Sequence, residues 1–259
     1  MNLVEKEVSK GIKSVIVSSI FTALIPLLFL AVYPIIGKEV RGLLNITLIN
    51  TPDSFNINKT INYISITNYL GYIFNYVYII GGVYGGILGA TSDIRNYNLK
   101  RNEYKKFIKV KIIANLEKYI AYSLIIGMIT FIAIVIITPT NSKLELIVLE
   151  EVYLIFGLIL IGILFMSIGF IICTLIKKNL NSILVVLCVL AYTYVLGVVS
   201  RLTYKLGILK IFSLFENMNG INIVNYGFNK FIVLGMIFIS ISCMLITVII
   251  FSIRLKEGN

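Results

Sequence analysis

The sequence has no histidine and no tryptophan, and only four prolines and three cysteines in 259 residues. Without an imidazole there is no common zinc site, no Ser-His or Cys-His nucleophile and no histidine-ligated haem. Cys173, Cys188 and Cys243 all lie in apolar runs without CxxC spacing, which reads as small buried hydrophobes rather than a disulfide frame or metal site. Acidic residues are scarce as well: 12 Asp and Glu stand against 23 Lys and Arg, for a net charge of +11. No charged residue falls near the middle of an apolar run, where proton- or sodium-driven carriers usually place one. The adjacent pair Glu150 and Glu151 is expected at the outer start of a span, as a cap. No enzyme chemistry, cofactor or metal is indicated.

What the chain does have is apolar length. The mean hydropathy is +0.95 and charged residues make up 14%, against about 25% in a soluble domain. Six runs, at about 14–36, 66–90, 119–138, 152–176, 183–200 and 231–253, are each long enough to cross a hydrocarbon core of ~30 Å as a helix. They are continuous rather than alternating, which excludes a transmembrane barrel. The expected fold is an all-α integral membrane protein of six transmembrane helices, occupying residues 1–259 as one transmembrane domain. The first run is too long for a signal-peptide core and no small-x-small site follows it, so it is expected to be retained. Before it, Val4, Val8, Gly11, Ile12 and Val15 project to one side of a helix and Lys6, Lys10 and Lys13 to the other, the pattern of an interfacial amphipathic helix.

Basic residues orient the spans. Fifteen of the 23 Lys and Arg fall in the N-terminal segment, the 91–118 loop, the loop near 177 and the C-terminal tail, and eight fall in the alternate segments. Both termini are therefore expected in the cytoplasm, with residues 201–230 outside. The richest stretch is "TSDIRNYNLKRNEYKKFIKVK", residues 91–111. A nucleic-acid patch would come with a recognisable binding module, and none accompanies it, so no nucleic-acid partner is expected. Two readings stay open: a positive-inside loop that touches only the anionic lipid bilayer, and a docking surface for a cytoplasmic partner. Tyr104, Phe107, Ile108 and Ile112 recur at helical spacing opposite Lys105, Lys106 and Lys109, an amphipathic order that favours the second.

The cluster "IIGGVYGGILGA", residues 79–90, lacks the Lys-Ser/Thr ending of a phosphate-binding loop. Gly81, Gly85 and Gly89 stack at four-residue spacing, as do Gly82, Gly86 and Ala90. Such small faces let helices approach closely, whether within the chain, at a movable gate or at a dimer seam. Asn68 and Asn75 in the same span, with Tyr192 and Tyr194 in the fifth, are candidates for a polar translocation cavity; groups of this kind are also commonly satisfied between helices.

This order of parts resembles the permease subunit of type-2 ABC exporters: an interfacial N-terminal helix, six spans with both ends inside, a sizeable first outer loop and a basic amphipathic segment after span two. "KLGILKIFSLFENMNGINIVNYGFN", residues 205–229, is too apolar for a free loop and too broken for a span; in that family this region forms short re-entrant helices on the outer side. The ending "FSIRLKEGN" is also similar. Family members carry a Glu, a Gly-Thr, a Pro-x-x-Arg-like stretch and a Lys after the second span. Here Asp93 stands for the Glu, the Gly-Thr and Pro are missing, and Arg101 and Lys111 are counterparts of the basic positions.

The resemblance implies a partner: a separate cytoplasmic ATPase, usually two with two permease halves, so that this chain would form a homodimer or heterodimer with a second permease. It places ATPase coupling on Arg101, Tyr104, Lys105, Phe107, Ile108 and Lys111. Scarce intramembrane charge favours amphipathic or hydrophobic cargo, such as an antimicrobial peptide or drug, and abundant Ile, Asn and Lys suggest an AT-rich bacterial genome and thus a plasma-membrane location. The alternatives are a secondary carrier or channel, and a non-transporting immunity or scaffold protein. The topology is directly measurable. In a cysteine-free background, cysteines placed at Asn98 and Asn181 are expected to label only from the cytoplasm, and those at Asn56, Asn141 and Asn222 only from outside; outside labelling at Asn98 would invert the orientation.

Overall fold

A computed structural model describes residues 3–48, 66–92, 101–137, 144–176, 178–202 and 212–257. Eight helices fill them: α1 (Leu3–Leu48), α2 (Ile66–Ala90), α3 (Arg101–Ile137), α4 (Leu144–Leu175), α5 (Asn179–Leu202), α6 (Leu214–Asn217), α7 (Gly220–Tyr226) and α8 (Lys230–Glu257). Six of them, all but α6 and α7, contain stretches long and apolar enough to cross a membrane. The chain is a multi-pass membrane protein with an all-helical described fold.

Consecutive long helices alternate in direction. Gly81 of α2 meets Leu158 of α4 and Gly89 meets Met166, so these two run parallel. Thr22 of α1 bonds Tyr122 of α3, again a parallel pair, whereas Gly127 of α3 meets Ile155 of α4 and Tyr119 donates to the Leu158 carbonyl, an antiparallel pair. Phe228, just ahead of α8, packs its ring on Tyr153 and Phe156 near the start of α4. The N-terminus of α1 and the C-terminus of α8 therefore share one end of the bundle.

The central helix is α4, which packs against α2, α3, α5, α7 and α8. Its contact with α2 is the most extensive among the described helices. A Cβ on Gly85 would lie 2.5 Å from the carbonyl oxygen of Gly162, and one on Gly89 would lie 3.0 Å from Cα of Gly169. The other glycine row lies between α4 and α5: Gly82 against Phe165 of α4 and Leu190 of α5, and Gly86 against Val186 of α5. Beside this seam Tyr119, Tyr122 and Tyr84 stack, with 4.3 Å between the Tyr84 and Tyr122 centroids. The Tyr119 ring lies across Gly162 so tightly that a Cβ there would come within 1.7 Å of it.

Three expectations are corrected by where the helices begin and end. α1 does not break between an interfacial piece and a span; it runs 46 residues, about 69 Å at 1.5 Å per residue, and passes through Pro26 and Pro34. The basic amphipathic segment likewise is not a separate helix but the first turns of α3, 37 residues long. Glu150 and Glu151 do not cap α4, which begins at Leu144. Glu151 is 4% exposed and accepts a hydrogen bond from Thr130 of α3. Of the cysteines, Cys173 is buried, Cys243 is half-buried and Cys188 is exposed.

Membrane helices gain no hydrophobic driving force from each other in lipid, so close packing must hold them. Gly85→Ala and Gly162→Ala are each expected to destabilise the fold by about 1–3 kcal/mol through overpacking. Gly235, with nothing within 4 Å of an added Cβ, should tolerate Ala. Thermal unfolding followed by monodispersity in detergent checks the ranking.

Candidate functional site

The basic end of the bundle is built from two amphipathic stripes turned toward each other. On α1, Val4, Glu7, Val8, Gly11 and Val15 lie on the inner side while Lys6, Lys10 and Lys13 are exposed. On α3, Ile108 is 2% exposed and belongs to the core, and Ala114 and Asn115 are buried beside it. Apolar spacing that suits an interface also suits a second helix with the same spacing, and here each stripe covers the other.

An ion pair fixes this arrangement. Lys111 of α3 donates to the Glu7 carboxylate of α1, and Lys10 approaches the same carboxylate at 3.5 Å. Lys111 is only 8% exposed, and its ammonium stands 5.5 Å from the centroid of the Phe107 ring, within cation–π range. One turn further on, Asn115 donates to the Leu88 carbonyl at 3.2 Å, which ties α3 to the end of α2. Ile108 and Lys111 thus serve contacts within the chain. What this segment presents outward is Lys106, Lys109 and half-buried Phe107. The side chains of Arg101, Tyr104 and Lys105, and Asp93 altogether, lie outside the described residues.

At the opposite end a cleft of about 110 Å³ opens between α2, α5 and α6. Tyr72, Asn75, Tyr76 and Ile79 supply one wall, Tyr194, Gly197 and Val198 the second, and Phe215 and Glu216 the third. The Tyr72 and Tyr76 hydroxyls bond at 2.9 Å, and Phe215 stacks on Phe165 of α4 with centroids 5.5 Å apart. The α6–α7 segment is pinned locally. Ser213 caps α6, Asn219 caps α7, and the Gly220 amide donates to Asn75 Oδ1 at 2.7 Å. Gly220 and Gly71 touch through bare backbone, since a Cβ on Gly220 would sit 2.2 Å from the Gly71 carbonyl oxygen.

Of the four cavity candidates, Asn75 and Tyr194 meet at this cleft. Asn68 is buried on α2 away from it, and Tyr192 is 65% exposed on another side of α5. Two residues along a helix turn by about 200°, so Tyr192 and Tyr194 cannot share a wall. Tyr72, Tyr76 and Glu216 were not among the sequence candidates. Tyr72, Asn75, Tyr76 and Ile79 follow the i, i+3, i+4, i+7 pattern of one helix face, so that wall carried a signal; Glu216 carried none, because its place depends on how α6 folds back. The cleft is well below the roughly 300 Å³ of a drug-sized site and within one chain holds a fragment, not a peptide. A second recess, of about 280 Å³, lies between α3 and α4, lined by Leu124, Met128, Phe131, Val152 and Ile155, with Glu151 at its wall.

Comparison with protein-family models, curated proteins and solved structures finds no significant match.

The Glu7–Lys111 pair yields a direct test. Glu7→Gln or Lys111→Met alone leaves its partner's charge half-buried and is expected to cost about 1–3 kcal/mol. The exchange Glu7→Lys with Lys111→Glu should recover much of the loss. Thermal midpoints of the single variants and the exchange measure the coupling.

Proposed function

We propose that this chain is the membrane-spanning permease subunit of a type-2 ABC exporter in a bacterial plasma membrane. In this reading both termini and the basic end face the cytoplasm, and a separate ATPase docks there. A second permease subunit completes the pathway, and the cargo is amphipathic or hydrophobic, such as an antimicrobial peptide or drug.

The observation that carries the reading is the basic helix pair. Lys106, Phe107 and Lys109 are presented at the base of α3, and that base continues without a break into the membrane-crossing part of the same helix. Force applied by a closing ATPase would pass into α3 and, through Glu7, into α1. The short helices α6 and α7, folded back between the fifth and sixth long helices onto α2, fit the re-entrant elements of that family, and the small single-chain cleft beside them fits a pathway completed by a second subunit.

A secondary carrier is the competing reading, favoured by one observation: the buried carboxylate of Glu151. Two variants separate the readings. Phe107→Asp puts a charge into a contact that must be dry, which costs a few kcal/mol, and is expected to abolish co-purification of a Walker-motif ATPase from solubilised native membranes while membrane insertion is unchanged. Lys106→Gln with Lys109→Gln should weaken it partly, because exposed pairs are worth about 0–1 kcal/mol each, and the difference from wild type should shrink at high salt, which screens those pairs. Glu151→Gln should leave ATP-driven export intact. Gradient-driven uptake by the purified chain alone, lost in Glu151→Gln, would replace the exporter by a carrier.

A further inference from the structure

Lys118 stands one and a half to two turns beyond the Glu7–Lys111 pair and is only 8% exposed. Among the described residues its ammonium makes no hydrogen bond and no ion pair within 4 Å. It lies instead against the bare backbone of α1: a Cβ on Gly11 would meet Lys118 Cε at 3.0 Å and Nζ at 3.1 Å. Lys10, Lys111 and Lys118 converge on this place, and Glu7 is the carboxylate they share. Around them Lys6, Lys13, Lys106 and Lys109 are exposed, against Glu5 and Glu117. Three ammonium groups on one carboxylate leave two positive charges in excess, one of them nearly buried. An ammonium on so buried a residue, whose nearby carboxylate is already engaged by two other lysines, is under-compensated, so the site calls for an anion.

Depth identifies it. Lys118 is followed by the uncharged run Tyr119–Ile137, which at 1.5 Å per residue spans roughly 29 Å, the thickness of the hydrocarbon core. Lys118 therefore sits where the core ends and the phosphates begin, whereas Lys111 lies about 10 Å further from the core. Basic pockets between helices at this level take lipid head groups. The geometry points to a site for the phosphate of one anionic phospholipid between α1 and α3, held by the Lys118 ammonium where it lies against the bare backbone of Gly11. The Lys111–Glu7 pair walls the site on the aqueous side, and lipid held there would occupy the seam between the two helices.

The test uses the purified full chain and native mass spectrometry, with phosphatidylglycerol and phosphatidylcholine of matched acyl chains. Wild type is expected to retain one phosphatidylglycerol at about fivefold lower lipid concentration than phosphatidylcholine, the worth of roughly one lysine at a membrane surface. Lys118→Gln should erase that preference. Gly11→Leu, which keeps every charge but pushes the Lys118 ammonium off the α1 backbone, should erase it too, and Lys13→Gln, an exposed lysine on the same helix, should keep it. Inorganic phosphate in excess should not displace the lipid. Equal retention of both lipids by wild type, or an unchanged preference in Lys118→Gln, would overturn the site. Displacement by inorganic phosphate would overturn the lipid assignment in favour of a soluble anion, and displacement by an acidic peptide in favour of a protein partner. If Lys118→Gln is not monodisperse, Gly11→Leu and the wild-type comparison decide.

Discussion

The close approach of α2 and α4 is the constraint on which the other contacts depend. Lipid offers these helices an environment as apolar as each other, so the gain must come from contact itself, and contact needs backbones that can touch. Glycines supply that on both sides, with Gly85 over Gly162 and Gly89 over Gly169. Once the seam closes, Gly162 leaves a shelf that the Tyr119 ring covers, and Tyr119 reaches the Leu158 carbonyl, bringing α3 onto α4. Tyr78 does the same from α2, bonding the Leu154 carbonyl at 3.1 Å. Tyr122 then carries the network outward to Thr22 on α1 at 2.8 Å.

A different kind of contact holds the basic end. There the helices leave the apolar run and meet through mixed stripes, with Ile108 and Val15 buried and a carboxylate and an ammonium joined between them. The change of chemistry follows depth. Small residues and tyrosine hydroxyls work where water is absent, and formal charge is used only where head groups and water begin to share the cost of desolvation. Glu151, near the other end of α4, follows the same rule with a hydroxyl partner, Thr130.

How much of this was legible in the sequence varies with the feature. The six apolar stretches were plain, and the end of α2 at Ala90 was read off directly because apolar character and helix stop together there. They do not stop together in α1 and α3, where helix runs on through amphipathic turns. A stripe of period 3.6 states that one side of a helix is covered; it does not state by what, and membrane surface and neighbouring helix leave the same pattern. For that reason Ile108, expected to face a partner, is turned inward, and Lys111 with it. At the cleft, Asn75 and Tyr194 were legible as polar groups in apolar spans. Glu216 was not, since its position comes from the caps at Ser213 and Asn219 and the Gly71–Gly220 contact, which join residues far apart in the chain.

The two prolines of α1 give that helix an uneven stiffness. Proline has no amide hydrogen, so Pro26 and Pro34 each remove one rung of the backbone ladder, and both lie in the half beyond Thr22. Before that point α1 has a full ladder and is bolted to α3 by Glu7, by the Gly11–Lys118 contact and by Thr22. The pair behaves as a laminated beam at the basic end; beyond it α1 stays packed, with Leu30 buried and Tyr69 of α2 donating to the Phe29 carbonyl, but its own ladder is weaker. Bending imposed on such a beam concentrates where the rungs are missing, so the compliant part of α1 lies beside Tyr33 and Tyr69, whose rings meet 5.2 Å apart, at the end of the molecule opposite the basic one.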